Sequence, residues 1–134
     1  MRRRTLLTLS SVLSFFALFL VPVVALAESV PSGASQLIRK VNAAAQRHDY
    51  AALSSVMVPD FSWNFGGEAS AKRAISEWKK QPGYLRQLAT VTRAKCVYRK
   101  DRVVECPAKA GTSFRAGFSE IDGQWKMVYF VEGD

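Results

Sequence analysis

Arg47-His48-Asp49-Tyr50-Ala51-Ala52-Leu53-Ser54-Ser55-Val56-Met57-Val58-Pro59-Asp60-Phe61-Ser62-Trp63-Asn64-Phe65 carries a helix stop, a helix start and a change of hydrophobic period. Asp49 reads as the N-cap of a short helix, Tyr50 to Met57, with Leu53, Val56 and Met57 inward and Pro59 closing it. Phe61, Trp63 and Phe65 then alternate with Ser62 and Asn64, the period of a half-buried strand, which Gly66-Gly67 ends. Upstream, Leu37, Ile38, Val41, Ala44 and Ala45 recur at helical spacing, with Lys40 and Arg47 on the other side. That helix starts at a Ser32 or Gly33 cap after Pro31 and ends near His48. Downstream, Ser70 or Glu68 opens a third helix that runs to Lys80, with Ala71, Ala74, Ile75 and Trp78 on one face. Pro82-Gly83 breaks it.

From Tyr84 onward the chain reads as β. Leu88–Arg99 is expected as a long strand with a helical turn at its start, and Arg102–Pro107 as its hairpin partner. Thr112–Ile121 follows, then an Asp122-Gly123 hairpin turn and a last strand, Gln124–Val131. Trp125, Met127, Tyr129 and Val131 fall on one face of that strand, and Val128 and Phe130 on the other. This predicts a central strand covered on both sides. The expected class is α+β: a curved antiparallel sheet wrapped around three N-terminal helices, a cone whose mouth would make an apolar pocket.

Before residue 28 the chain has the layout of an export signal. Arg2-Arg3-Arg4 precede an apolar stretch from Leu6 to Leu26, and Ala25-Leu26-Ala27 has the small-x-small pattern of a cleavage site. Leu6–Leu26 is also long enough to span a bilayer. Against a retained anchor, Ser10, Ser11, Ser14 and Pro22 dilute it, and no basic cluster follows Ala27. The expected organisation is a signal peptide at 1–27 and one domain at 28–134, periplasmic or secreted, with no stable membrane anchor after cleavage.

The two cysteines, Cys96 and Cys106, fit that compartment as a disulfide. A three-residue loop at Lys100-Asp101-Arg102 pairs Arg99 with Val103, and the same register sets Cys96 opposite Cys106, close enough to bridge. The spacing is not that of a catalytic Cys-x-x-Cys dithiol.

The formal charge of +8 loses three arginines with the leader. The remaining cations are scattered, in short runs at Lys72-Arg73, Lys79-Lys80 and Arg99-Lys100. No stripe interleaves arginine with aromatics, which argues against a nucleic-acid partner. A salt-screened attraction to the anionic polymers and lipid headgroups of an envelope is expected instead.

Three segments resemble the nuclear transport factor 2-like superfamily, SnoaL-like domains with the cystatin-like cone fold included. They are Arg47-His48-Asp49-Tyr50-Ala51-Ala52-Leu53, Pro59-Asp60-Phe61-Ser62-Trp63 and Gly123-Gln124-Trp125-Lys126-Met127. The resemblance spans essentially all of residues 28–134. It implies the cone fold, a pocket, and dimerisation through the open sheet face. Members include isomerases, cyclases and dehydratases as well as proteins that only bind or assemble, so activity must be argued from the site.

His48, the only histidine, is a candidate general base or an exposed helix end. Enzyme members of the resembled superfamily use a carboxylate in the cone to abstract a proton beside a carbonyl, and Asp60 is the candidate here, with Tyr84 or Tyr129 as oxyanion donor; the isomerase members' acid-base constellation is not recognisable by spacing, and Asp60 reads equally as a turn acid after Pro59. Arg115 is placed to clamp a carboxylate or phosphate in the cone mouth, or to lie on a solvated strand face. Trp63, Trp78 and Trp125 are the expected pocket walls. Ligand-binding candidates are therefore Trp63, Trp78, Tyr84, Arg115, Trp125 and Tyr129. No metal-ligand cluster, nucleophile elbow or phosphate loop is present, and no cofactor is expected. The leading expectation is a non-catalytic exported domain that holds a small apolar or amphipathic ligand or meets a protein partner across its sheet. The alternatives are an isomerase, cyclase or dehydratase using Asp60 or His48, and an envelope immunity or inhibitor protein.

Overall fold

Helix α1 (Ser32–Arg47) buries Ala34, Leu37, Ile38, Val41, Ala44 and Ala45 along one stripe, the expected face. It stops where His48 turns left-handed (φ 54°), and the amides of His48 and Asp49 bond back to Ala45 and Ala44. Helix α2 (Tyr50–Val56) starts on the Asp49 cap, whose carboxylate accepts from the Ala52 amide at 3.0 Å. These features belong to a computed structural model that describes residues 21–22, 28–64, 66–111 and 113–133. Apart from Val21 and Pro22, the expected leader lies outside the described residues, as do Phe65 and Thr112.

Strand β1 (Met57–Ser62) begins earlier than the period at Phe61–Phe65 predicts and runs through Pro59. Pro59 is tolerated because β1 is an edge strand, where a missing amide leaves no ladder bond unmade. Helix α3 (Ala71–Lys80) opens on Ser70, whose hydroxyl accepts from the Arg73 amide.

The expected strand over Leu88–Arg99 is instead mostly helix α4 (Gly83–Arg93), so four helices rather than three form among the described residues. Leu85, Leu88, Ala89 and Thr92 recur at three- and four-residue steps and are all buried, and that period outweighs the β-branched run Thr90-Val91-Thr92. Asn42 ties α4 to α1, donating to the Ala89 carbonyl at 2.8 Å and the Thr92 hydroxyl at 3.0 Å.

The β half continues as β2 (Val97–Tyr98), β3 (Val104–Cys106), β4 (Phe114–Ile121) and β5 (Gln124–Glu132). The sheet order is β1-β5-β4-β3-β2. β5 is an interior strand beside the β1 edge, with β4 in the centre, and its partners in β4 are antiparallel; the expected cover on both faces is not found, since no described helix lies on the outer face. β1 runs parallel to β5, so the sheet is mixed rather than wholly antiparallel. The parallel edge arises because α3, α4 and the hairpins all intervene between β1 and β5, which frees β1 from hairpin geometry. The β2–β3 register, Val97 with Glu105 and Tyr98 with Val104, is the expected one. Cys96 and Cys106 form the expected disulfide, with Cα atoms 4.4 Å apart. Asp122 (φ 49°) and Gly123 (φ 78°) turn β4 into β5 with two left-handed residues, which suits Asp-Gly.

The helices and the sheet close on Trp78, Phe61, Phe118, Phe130, Leu53, Leu85, Leu88 and Met127, each almost fully buried. Trp78 sits edge-on between Phe61 and Phe130, with ring centroids 5.7 and 5.8 Å away. These rings fill the interior that the cone pocket was expected to occupy. Class α+β stands, and the enclosed space is core.

Trp78→Ala is expected to cost about 3–5 kcal/mol in urea unfolding, since the space it vacates lies among aromatic rings that cannot collapse into it. Reducing the Cys96–Cys106 bridge frees a short closed loop in the unfolded chain, and is expected to cost about 2–3 kcal/mol at most in the same measurement.

Candidate functional site

The ladder register sorts the sheet into two faces. Val104, Cys106, Ala116, Phe118, Met127 and Phe130 are buried toward the helices. Glu105, Arg115, Gly117, Tyr129 and Val131 alternate with them and lie on the outer face. β5 reaches this arrangement through an irregularity. Gly117 pairs with Tyr129 and Phe118 with Met127, so Val128 is an extra residue between them. The bulge corrects the expected facing: Met127 and Phe130 both point inward, and Tyr129 and Val131 point out.

Tyr129 is held by what lies beneath and beside it. A Cβ on Gly117 would stand 2.2 Å from the Tyr129 ring, so only glycine lets the ring lie flat on β4. The Tyr129 hydroxyl donates to Glu105 Oε2 in a short hydrogen bond. Arg99 Nη2 donates to Glu105 Oε1 at 2.6 Å, joining the hairpin to the sheet. The Glu105 side chain is only 13% exposed. Burial, and then the bond to Glu105, push the Tyr129 phenol well above its ordinary value of 10.0. The bond to Glu105 likewise raises Arg99. Ser62, Glu105, Arg115, Tyr129 and Val131 line a shallow cleft of about 370 Å³ here.

Both Glu105 oxygens are already engaged, by Arg99 and by Tyr129, and the Tyr129 proton is firmly held. Glu105 and its two partners are therefore held in fixed positions.

Of the six expected ligand-binding residues, Arg115 and Tyr129 are brought together in this cleft. The others lie elsewhere. Trp78 is sealed in the core. Tyr84 meets Phe114 edge-on at 6.0 Å. Trp125 packs over Gly33 of α1 and against Tyr98. Trp63 donates its ring N–H to the Glu68 carbonyl at 3.2 Å. His48 is the exposed stop of α1 and Asp60 an exposed position of β1, and neither lines a described cleft with the other. Glu105, Arg99 and Ser62 were not anticipated. The signal for Glu105 is its alternation with Val104 and Cys106 in a hairpin whose register is readable.

A second cleft, of about 620 Å³, lies between α2, β1 and α3. Met57, Ala71 and Ile75 line its apolar part, with Lys72 and Lys79 beside them. Among the described residues, no group of three or more His, Cys, Asp and Glu could hold a metal ion, and no helix is long and apolar enough to cross a membrane.

The chain is thus an α+β domain with helices on one face of an open mixed sheet, the layout implied by the resemblance to nuclear transport factor 2-like domains. No family model and no curated protein matches the chain. Among solved structures it is similar to an NTF-2-like protein of unknown function from Shewanella oneidensis MR-1, at 13% identity and a TM-score of 0.46. That match covers 76% of this chain and 97% of that one. It is also similar to an NTF2-like protein with a cystatin-like fold from Novosphingobium aromaticivorans, at 17% identity and a TM-score of 0.40. Here 74% of this chain and 77% of that one are covered. The superpositions are partial, so the architecture rests on this chain's own element order and sheet.

Gly117→Ala is expected to lift Tyr129 off the sheet. Ultraviolet titration against Tyr129→Phe isolates this phenol: it ionises above 10.0 in the wild type and moves back toward that value in Gly117→Ala. The unfolded chain releases this proton at lower pH than the folded one. The phenol's contribution to stability is therefore intact below pH 10 and is lost as pH climbs beyond it through the raised folded value.

Proposed function

We propose that this protein is an exported, non-catalytic domain that works through the outer face of its sheet, where it pairs with a second copy of itself. Support for export comes from the leader-like sequence before residue 28 and from the disulfide, a bond of oxidising compartments. The observation that carries the binding reading is the contrast between the two sheet faces. The inner face is packed solid by Trp78, Phe61, Phe118 and Phe130. The outer face carries no helix among the described residues and holds Arg99, Glu105, Arg115 and Tyr129 in a preset array.

A two-fold contact suits this array because Glu105 is already paired with Arg99 within each copy, so the face is not of one sign and its side chains are preset. A protein partner, including a toxin in the inhibitor reading, would meet the same face. The enzyme reading lacks a convergent pair, since Asp60 and His48 are exposed on separate elements. The amphipathic-ligand reading has one feature in its favour, the cleft lined by Met57, Ala71 and Ile75 beside Lys72 and Lys79.

Native mass spectrometry on protein purified from its host's envelope tests these readings together. The expected result is a dimer with no adduct lost on denaturation. Arg115→Glu should weaken the dimer at least about tenfold, while Asp60→Asn and His48→Asn leave it unchanged. A monomer carrying a few hundred daltons of releasable mass would overturn pairing in favour of the ligand.

A further inference from the structure

The sequence holds 11 Asp and Glu residues, and none of them lies on α1 or α4. The two helices are packed side by side through Asn42, Ala89 and Thr92. Both bury one stripe against the core and expose the other. The exposed stripes carry Arg39, Lys40 and Arg47 on α1 and Arg86 and Arg93 on α4; beyond α4 the signs mix again, where Lys95 and Glu28 line one cleft. Between the helix cations stand Gln36, Gln46, Gln87, Thr90 and Ala94, all exposed, uncharged and modest in size. The ion pairs among the described residues are Arg73–Glu68, Lys80–Glu77 and Arg99–Glu105, and none takes a cation from this layer. Elsewhere the surface mixes signs; here it carries positive charge alone, on a field with no bulky side chain to hold a flat partner away.

We propose that the α1/α4 layer is a docking surface for an anionic phospholipid bilayer. Charge complementarity is the first argument, because lipid phosphates offer a flat, dense field of negative charge to a flat, acid-free row of guanidinium and ammonium groups. The second is where the chain comes from. The apolar stretch Leu6–Leu26 ends just before the segment that leads into Ser32, the first residue of α1. Residues 27–31 can span no more than about 20 Å when extended. Before the cleavage that the export reading expects after Ala27, α1 is held within that distance of the headgroups whenever Leu6–Leu26 lies in a bilayer; the mature chain then meets the same surface through charge alone. The proposal rests on the export reading for the membrane it meets and is independent of pairing through the sheet.

The test uses protein purified from the host envelope, with its N-terminus fixed by mass, in co-sedimentation with two kinds of vesicle: pure phosphatidylcholine, and phosphatidylcholine with about a third phosphatidylglycerol. Binding is expected to the anionic vesicles only and to fall steeply with salt. Arg47→Gln/Arg86→Gln/Arg93→Gln should lose about fivefold per cation removed, about a hundredfold in all. Lys100→Gln/Arg102→Gln/Lys109→Gln removes the same charge from the hairpin and its following loop and should lose less than about fivefold. All six positions are exposed, and circular dichroism checks the fold. Equal losses in the two triples would overturn the proposal in favour of net charge. Equal binding to both vesicles would overturn it in favour of the apolar N-terminal stretch. Retention on immobilised poly-glutamate without vesicle binding would assign the layer to an acidic protein and overturn it as well. The dimer mass of the α1/α4 triple should match the wild type, which separates failure here from failure of sheet pairing.

Discussion

Val128 sets the character of both sheet faces. A strand that kept strict two-residue alternation would turn Tyr129 and Val131 inward with Met127, and Phe130 outward. One unpaired residue shifts the phase, so Met127 and Phe130 both enter the core while Tyr129 leaves it. Phe130 then stacks on Phe114 at 5.3 Å and meets Trp78 edge-on. The bulge forgoes one ladder pairing and puts Phe130 in the core in place of Tyr129, so the buried ring carries no hydroxyl that would need a partner there. Gly117, paired with Tyr129 just before the irregularity in β4, completes the device, because the displaced Tyr129 ring needs the space a side chain would fill. Core and outer cluster are two consequences of one inserted residue.

The interior determines which chemistry the domain can support. A cone that turns over a small molecule needs a void with a titratable group aimed into it. Here the space between helices and sheet is taken by Trp78, Phe61, Phe118 and Phe130, and the buried polar residue among the core positions is Thr92, bonded to its own helix and to Asn42. The Glu105 carboxylate, largely buried, lies on the opposite face with both oxygens satisfied. Its environment fixes side-chain positions.

Much of this was legible in the sequence, for identifiable reasons. The stop at His48, the Asp49 cap, the Ser70 cap, the Cys96–Cys106 pairing and the Asp122-Gly123 turn are local devices, each specified by a few adjacent residues. What failed was less local. α4 contains Thr90-Val91-Thr92, and β-branching there imitates a strand until the buried positions are counted at helical steps. β1 passes through Pro59, which reads as a terminator unless its edge position is known. The Val128 bulge leaves no mark in composition, and without it the facing of Tyr129 and Val131 comes out reversed. The site was half legible for the same reason. Arg115 and Tyr129 were anticipated, but as parts of a cone pocket, and Glu105, which holds Tyr129, follows only from cross-strand register.

The two proposed surfaces constrain one another. The described helices pack on one face of the sheet, so the α1/α4 layer and the Tyr129 cluster point in roughly opposite directions. The helix layer cannot serve as the self-contact, because two acid-free cationic surfaces repel, whereas the sheet face offers both signs. A two-fold pairing through the sheet would then carry the helix layers to the two far ends of the dimer. A flat bilayer could engage one of those layers at a time, leaving the other turned away. Pairing would therefore add no avidity on a single membrane. It would instead leave the second cationic layer free to meet another anionic surface, which makes the opposed faces compatible with a bridging geometry and incompatible with simultaneous two-layer docking on one leaflet.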